Sequence, residues 1–255
     1  MVEQKTEAEL AAMREAGRVV ANALAAAREA ASIGVSLKEL DEVAHAVIKD
    51  AGATSPFLNY HPQWAPTPFS GVICASVNDA IVHGIPGHYR LADGDLVSID
   101  CGATLNGWTG DAAISFLVGT PRPGDAELLA TTERGLAAGI EAAVAGGRLG
   151  DISHAIGQVG RSAGYGIPSN FGGHGIGREM HEDPFIANEG RVGRGLRLQV
   201  GQAFAIEPMF IAGGVDDYTM APDGWALHTS DRSRAAHFEH SIAITKDGPV
   251  ILTLP

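Results

Sequence analysis

Two stretches of this chain are copies of one pattern. Leu37 to Pro56 aligns without a gap on Leu149 to Pro168, which sets Leu40 on Ile152, Val47 on Val159 and Gly52 on Gly164, at a period of about 110 residues. Three later echoes keep the same order. Val82-His83-Gly84-Ile85 falls on Gly173-His174-Gly175-Ile176, Gly94 to Asp100 on Gly201 to Glu207, and Asp111 to Ile114 on Glu239 to Ile242. One echo would be chance, but four in register predict two similar halves packed about a pseudo-twofold axis. Polar residues fall on polar residues, so acids from both halves can converge near that axis.

The first half opens on two helical signals. Thr6 to Glu9 is a Thr-x-x-Glu capping box ahead of an Ala-rich helix over Leu10–Ala31, ended by Gly34. Ser36-Leu37-Lys38-Glu39 is a second capping box, and Leu37, Leu40, Val43, Ala44, Val47 and Ile48 recur at helical spacing up to Gly52. From Val72 the chain turns to short apolar runs broken by Gly, Pro, Asn and Asp, including Leu96–Ile99, Ala112–Val118 and Ala203–Ile206, which read as strands. No Pro/Ser/Gly-rich linker or charge block divides the 255 residues, so one domain spanning 1–255 is expected.

Charge narrows the function. The net charge of -12, with no Lys/Arg cluster, argues against nucleic acid or an anionic membrane as partner and suits cations. No apolar run reaches the roughly 18 residues of a membrane span, and the N-terminus lacks the cationic start and apolar stretch of a secretory signal, so a cytoplasmic protein is expected. Cys74 and Cys101 are too few for a disulfide framework and are read as reduced thiols.

Asn106-Gly107 lies between two strand-like runs, and both residues tolerate the positive φ of a type I′ hairpin turn. That turn would set Leu105 opposite Trp108 and Asp100 opposite Ala113, leaving Asp111 on the face of Asp100. Two buried carboxylates so close repel one another unless a divalent cation neutralises them. The second half repeats the device: Glu207 ends Phe204-Ala205-Ile206, and Glu239 is embedded in Ala235 to Ile242. Any one of these acids could be an ordinary solvated group, but charged groups rarely end or occupy four apolar strands unless paired or bound to metal. Adding His174 from Gly172-Gly173-His174-Gly175 gives an oxygen-rich set with one imidazole, unlike a Cys-rich structural zinc site. Two metals sharing a water suit amide hydrolysis. Neither a phosphate-binding glycine loop nor a Gly-x-Ser-x-Gly elbow offers another chemistry.

The order Asp100, Asp111, His174, Glu207, Glu239 resembles the metal ligands of the methionine aminopeptidases, α+β enzymes of the pita-bread fold, with pseudo-twofold halves of antiparallel sheet flanked by helices. Ser76-Val77-Asn78-Asp79 through Pro86, His181-Glu182-Asp183-Pro184, Ile206-Glu207-Pro208-Met209 and Asp231-Arg232-Ser233 through His240 carry the resemblance over nearly the whole chain. The 31 residues 208–238 leave no room for the insertion of type II enzymes, so the likeness is to type I, without the N-terminal extension of some type I forms.

The resemblance implies two divalent ions (Co, Mn, Fe(II) or Zn), with Asp111 and Glu239 bridging, Asp100 completing one site, and His174 with Glu207 completing the other. It further implies Glu207 as general base, His83 contacting the substrate near the scissile amide, and His181 donating to the carbonyl oxygen. Phe57, Tyr60, Cys74, Met180 and Trp225 would line the methionine pocket, although each could equally be ordinary core. The implied activity is removal of initiator methionine from nascent chains with a small second residue. The implied partners are the nascent N-terminus and the ribosome exit region, and a monomer is expected.

One segment departs from the pattern. Where the family has a shorter Tyr-His-Gly-Phe-Pro-type stretch, this chain reads His61-Pro62-Gln63-Trp64-Ala65-Pro66-Thr67-Pro68-Phe69, which predicts an altered residue preference beyond methionine, with Trp64 or Phe69 replacing the missing aromatic. His45, His88, His154 and His228 are read as structural, and His61, His237 and His240 stay open. The rival readings are an aminopeptidase P or prolidase-like peptidase, which usually carries a further N-terminal domain, and a non-catalytic binding module of the same fold, which loses ligands.

Overall fold

The computed structural model describes residues 2–255. Its first helices are α1 (Glu7–Ala30) and α2 (Leu37–Asp50), followed by strands β1 (Ile73–Val77), β2 (Ala80–Val82), β3 (Asp95–Leu105) and β4 (Trp108–Val118). Helices α3 (Asp125–Ala142) and α4 (Leu149–Ser162) lead into β5 (Gly172–Gly175), β6 (Glu182–Ala187), β7 (Ala203–Ile206) and β8 (Met209–Ile211). The chain closes with β9 (Tyr218–Met220), β10 (Leu227–Thr229), β11 (Ala235–His237), β12 (Glu239–Thr245) and β13 (Gly248–Ile251).

Both expected capping boxes form. The Thr6 hydroxyl accepts from the Glu9 N–H at 3.3 Å while the Thr6 N–H donates to Glu9 at 2.8 Å, and Ser36 with Glu39 repeats both bonds. The inward stripe of α1 is Met13, Ala16, Val20, Ala23, Leu24 and Ala27, at the i, i+3, i+4 spacing that a helix on a sheet requires. Helix α2 buries Leu40, Ala44 and Ile48, and its copy α4 buries Ile152, Ile156 and Gly160. Where α2 uses Ile48, α4 leaves a gap that the Phe210 ring fills; a Cβ on Gly160 would lie 2.7 Å from that ring. The repeat therefore preserves packing while changing which element supplies the bulk.

The two halves meet in one sheet. Eight strands run in the order β1-β3-β4-β12-β7-β5-β6, with β13 also paired to β12. Reading outward from the β4–β12 seam, β3 is mirrored by β7, as the echoes of Gly94–Asp100 on Gly201–Glu207 and Asp111–Ile114 on Glu239–Ile242 predict, whereas the strand that mirrors β5 is β1 and not the segment 82–85 that echoes it in sequence. A core of α1 and α2 residues with Ile73, Val97, Ile99 and Phe116 underlies one half, and a second core with Ile152, Ile156, Phe204 and Ile242 underlies the other.

Helix α3 has no counterpart among the sequence expectations. Its composition favours helix, but its buried stripe is Thr131, Thr132, Gly135 and Gly139 beside Leu128 and Leu136. Small and polar inward residues blunt the apolar periodicity by which a helix is recognised.

Candidate metal centre

The hairpin register fixes the site. Leu105 faces Trp108 and Asp100 faces Ala113 across β3 and β4, with Asn106 at φ 52° and Gly107 at φ 78° in the turn. Ala113 also faces Glu239 on β12, so Asp100, Ala113 and Glu239 form one row, and Asp111 shares its face two residues along. On the other side His240 faces Ile206, so one step further the ladder brings Glu207 beside Glu239. His174 faces Ala205, two residues from Glu207. Five neighbouring strands, β3, β4, β12, β7 and β5, thus aim one group each to one side of the sheet, Asp100 and Asp111 from within long strands, Glu239 from the start of β12 and Glu207 from just past β7.

The β4–β12 seam is short, with Glu239 facing Ala113 and His240 facing Ala112. Serines extend it. The Ser241 hydroxyl accepts from the Asp111 N–H at 2.9 Å and donates to the Asp111 carbonyl at 2.7 Å. The Ser115 hydroxyl does the same for His237, donating to its carbonyl at 2.7 Å and accepting from its N–H at 3.0 Å.

The resulting centre is buried and short of partners. Oδ1 of Asp100, Oδ1 of Asp111 and Oε1 of Glu239 are enclosed without a hydrogen bond. His174 donates from Nδ1 to the Gly175 carbonyl at 2.9 Å, which fixes the tautomer and leaves a lone pair on Nε2, 3.6 Å from Oε1 of Glu207. Acceptors facing acceptors in a dry place fit a cation. Two triples bring ligand atoms within 4.8 Å of one another: Asp111, His174 and Glu239, and Glu207, His237 and Glu239, sharing Glu239. Asp100 falls outside both triples but lines the same cavity.

Titration follows from the crowding. Burial pushes Asp100 up to about 7, and the charge of Glu207 adds to it. Burial and then Asp100 hold Asp111 well above the usual carboxylate range. Burial does the same for Glu207, and burial with Asp111 for Glu239. Burial lowers His174 to about 3 and His83 to about 4, with His181 opposing the charge of each, and burial alone lowers His181. All three imidazoles are therefore neutral near pH 7, as ligation or hydrogen bonding to a carbonyl requires.

Every site residue singled out from the sequence lines one cavity of about 610 Å³. Its apolar end holds Phe57, Cys74, Met180 and Trp225, joined by Phe69 and Ala65, with Tyr60 half-exposed at the rim, 5.6 Å from the His181 ring. Phe69 packs inside the cluster, 5.1 Å from Trp225, whereas Trp64 stands at the mouth. Burial first, then Asp100 opposite it, keeps the Cys74 thiol protonated.

His237 is the residue that sequence reasoning left open and the geometry draws in. It is buried, with Nε2 3.4 Å from Oε2 of Glu207. The alternation His237-Phe238-Glu239 was the available signal. His240 instead bonds Thr253 at 2.8 Å, His61 donates to the Ala65 carbonyl at 3.2 Å, and His228 lies 3.3 Å from the Asp79 carboxylate, none of them on the four acids and the imidazole of the centre. No helix among the described residues is long and apolar enough to cross a membrane.

Residues 11–246 match the model of metallopeptidase family M24. Methionine aminopeptidase 1 of Mycobacterium tuberculosis is 51% identical over 261 residues, covering 100% of this chain and 96% of that protein. The crystal structure of methionine aminopeptidase from Thermotoga maritima superposes with a TM-score of 0.95 at 37% identity, covering 100% of both chains. Prolidase from Pyrococcus furiosus reaches a TM-score of 0.76 at 23% identity, with 65% of its chain covered, a likeness of fold alone.

Proposed function

Because this chain belongs to the methionine aminopeptidases of metallopeptidase family M24, we propose that it hydrolyses the first peptide bond of polypeptides that begin with methionine. The substrate would be the N-terminus of a nascent protein with a small second residue, met in the cytoplasm near the ribosome exit by a monomer whose residues 1–255 act as one catalytic unit. The observation that carries this reading is the set of unpartnered buried oxygens of Asp100, Asp111 and Glu239 beside the His174 lone pair, opening onto an apolar pocket.

Asp111 and Glu239 would bridge two divalent ions, with Asp100 on one and His174 and Glu207 on the other; cobalt, manganese, iron(II) and zinc all suit this donor set. When bound, such ions supply a water of lowered pKa and polarise the scissile carbonyl. The chain's own residues do the rest. Phe57, Phe69, Cys74, Met180 and Trp225 enclose the thioether in a surface of sulfur and aromatic rings. His83 and His181, both neutral, offer hydrogen bonds to the scissile amide and its carbonyl oxygen. Glu207 takes the proton from the attacking water and passes it to the leaving amine. His237 lies with Nε2 3.4 Å from the second oxygen of Glu207 and without a hydrogen-bond partner, a further buried donor atom beside that carboxylate.

The test is metal analysis with a peptide assay. Protein loaded with manganese or cobalt should bind about two ions per chain and release methionine from Met-Ala-Ser. A chelator should abolish release, and Asp111→Asn should lose both the ions and the activity. Full turnover by Asp111→Asn would overturn the assignment, and absence of bound metal and of release would favour a binding module.

A further inference from the structure

Trp64 is more than half exposed, with 55% of its surface in solvent, yet it lines the mouth of the catalytic cavity. It is also firmly held. The Ala65 N–H donates to the Pro62 carbonyl at 3.1 Å, and Trp225 donates from Nε1 to the Thr67 carbonyl at 3.0 Å, tying the segment to the pocket wall. Pro62, Pro66 and Pro68 fix φ along it, so little freedom is left to lose when a ligand arrives. The indole meets Trp225 edge-on at 5.0 Å and lies nearly parallel to His83, at 24° and 6.5 Å between centroids. Phe171 packs on His83 edge-on at 5.9 Å, and the half-exposed Phe185 lines the same mouth.

The aromatic wall of the methionine pocket therefore continues from Trp225 through Trp64, beside His83, to the solvent-exposed mouth. If His83 meets the substrate at the scissile amide, an extended peptide advancing about 3.3 to 3.6 Å per residue crosses the 6.5 Å to Trp64 in about two residues. That arithmetic leads to the third residue of the substrate.

We propose that Trp64 is a specificity-determining residue that stacks on the side chain of the substrate's third residue and favours apolar and aromatic groups there. The inference rests on the aminopeptidase reading of the same site and extends it to the leaving peptide. Stacking between aromatic groups at such a site is worth about threefold to tenfold in affinity.

The experiment compares wild type, Trp64→Ala and Trp64→Phe, each loaded with manganese, on Met-Ala-Ser and Met-Ala-Phe. Wild type should show a KM for Met-Ala-Phe about threefold to tenfold below that for Met-Ala-Ser. Trp64→Ala should erase that ratio through KM, with kcat moving less than KM, and Trp64→Phe should restore most of it. Thermal midpoints of the three proteins, read alongside, show whether the segment still folds. A ratio near one in wild type, a ratio that survives in Trp64→Ala, or parallel loss of kcat and thermal midpoint in both variants would overturn the proposal. Failure of wild type to release methionine from either peptide would instead sink the aminopeptidase reading, and this inference with it.

Discussion

At the scale of single residues, the acids of the centre are held in place by neighbours that carry no charge. Ser241 satisfies both backbone groups of Asp111 from across the seam, and Ser241→Ala would leave a buried N–H and C=O unpaired. A cost of about 1 to 3 kcal/mol is expected, read as a lowered denaturant midpoint, with weaker metal binding because Asp111 loses its anchor. An unchanged midpoint would mean the backbone finds other partners. The acids themselves were legible in the sequence because a charge at the end of Leu96-Val97-Ser98-Ile99 or Phe204-Ala205-Ile206 is costly without a counterion. Ser241 and Ser115 were not, since a serine in a strand looks the same whether it bonds across a seam or faces solvent. His237 lay between: its alternation with Glu239 was visible, but its approach to Glu207 is a contact between β11 and the end of β7, which local pattern does not encode. The segment 61–69 was recognisable as a departure, and which of its aromatics would enter the pocket became plain only in the packing of Phe69 on Phe57 and Trp225.

At the scale of elements, the register of β3 and β4 was readable because a two-residue Asn-Gly turn allows few pairings. A one-residue insertion between Asn106 and Gly107 should therefore cost far more than its length implies. A slip of one residue carries Asp111 to the other face, and the expected result is loss of bound metal together with activity, measured by metal analysis on purified protein. The seat of α1 was less visible. A Cβ on Gly17 would lie 2.2 Å from the Leu252 carbonyl oxygen, and one on Gly110 would lie 2.9 Å from the Gly17 backbone, so the helix touches β4 and the chain after β13 almost backbone to backbone. Gly17→Ala is expected to destabilise by about 1 to 3 kcal/mol or more, although alanine raises helix propensity. A rise in thermal midpoint would show that α1 can shift outward at little cost. Helix α3 escaped the sequence reading for the reverse reason, since the small residues that let it lie close also erase its pattern.

At the scale of the whole molecule, the crowding of carboxylates ties stability to both protons and metal. Asp100 titrates at about 7 in the cation-free fold, and Asp111, Glu207 and Glu239 are raised as well. Groups whose folded pKa exceeds the unfolded value stabilise fully below the ordinary carboxylate range, near 4, and lose that contribution as pH rises through the folded value. The imidazoles of His83, His174, His181, His237 and His240, lowered by the same burial, act in the opposite sense as pH rises through about 6.5. Four raised carboxylates that repel one another outweigh them, so the chelated protein should unfold at lower denaturant at pH 8 than at pH 5.5. Divalent metal should reverse the trend, adding about 2.7 kcal/mol at a hundredfold excess over its dissociation constant. A chelated protein that gains stability over this interval would contradict the burial argument. The pseudo-twofold architecture was legible as a repeat because both halves keep the helix that opens them and the acids that close them, and the resemblance of the ligand set supplied the name of the fold. The second core was not, because Phe210 takes over volume that Ile48 supplies in the first half.

The order of the five groups along the chain has a bearing on synthesis. Asp100 and Asp111 leave the ribosome first, and Glu239 follows more than a hundred residues later. Until the strand that carries it slots between β4 and β7, the growing chain holds an unfinished clasp, with the acids of β3 and β4 still lacking the partner that closes the row.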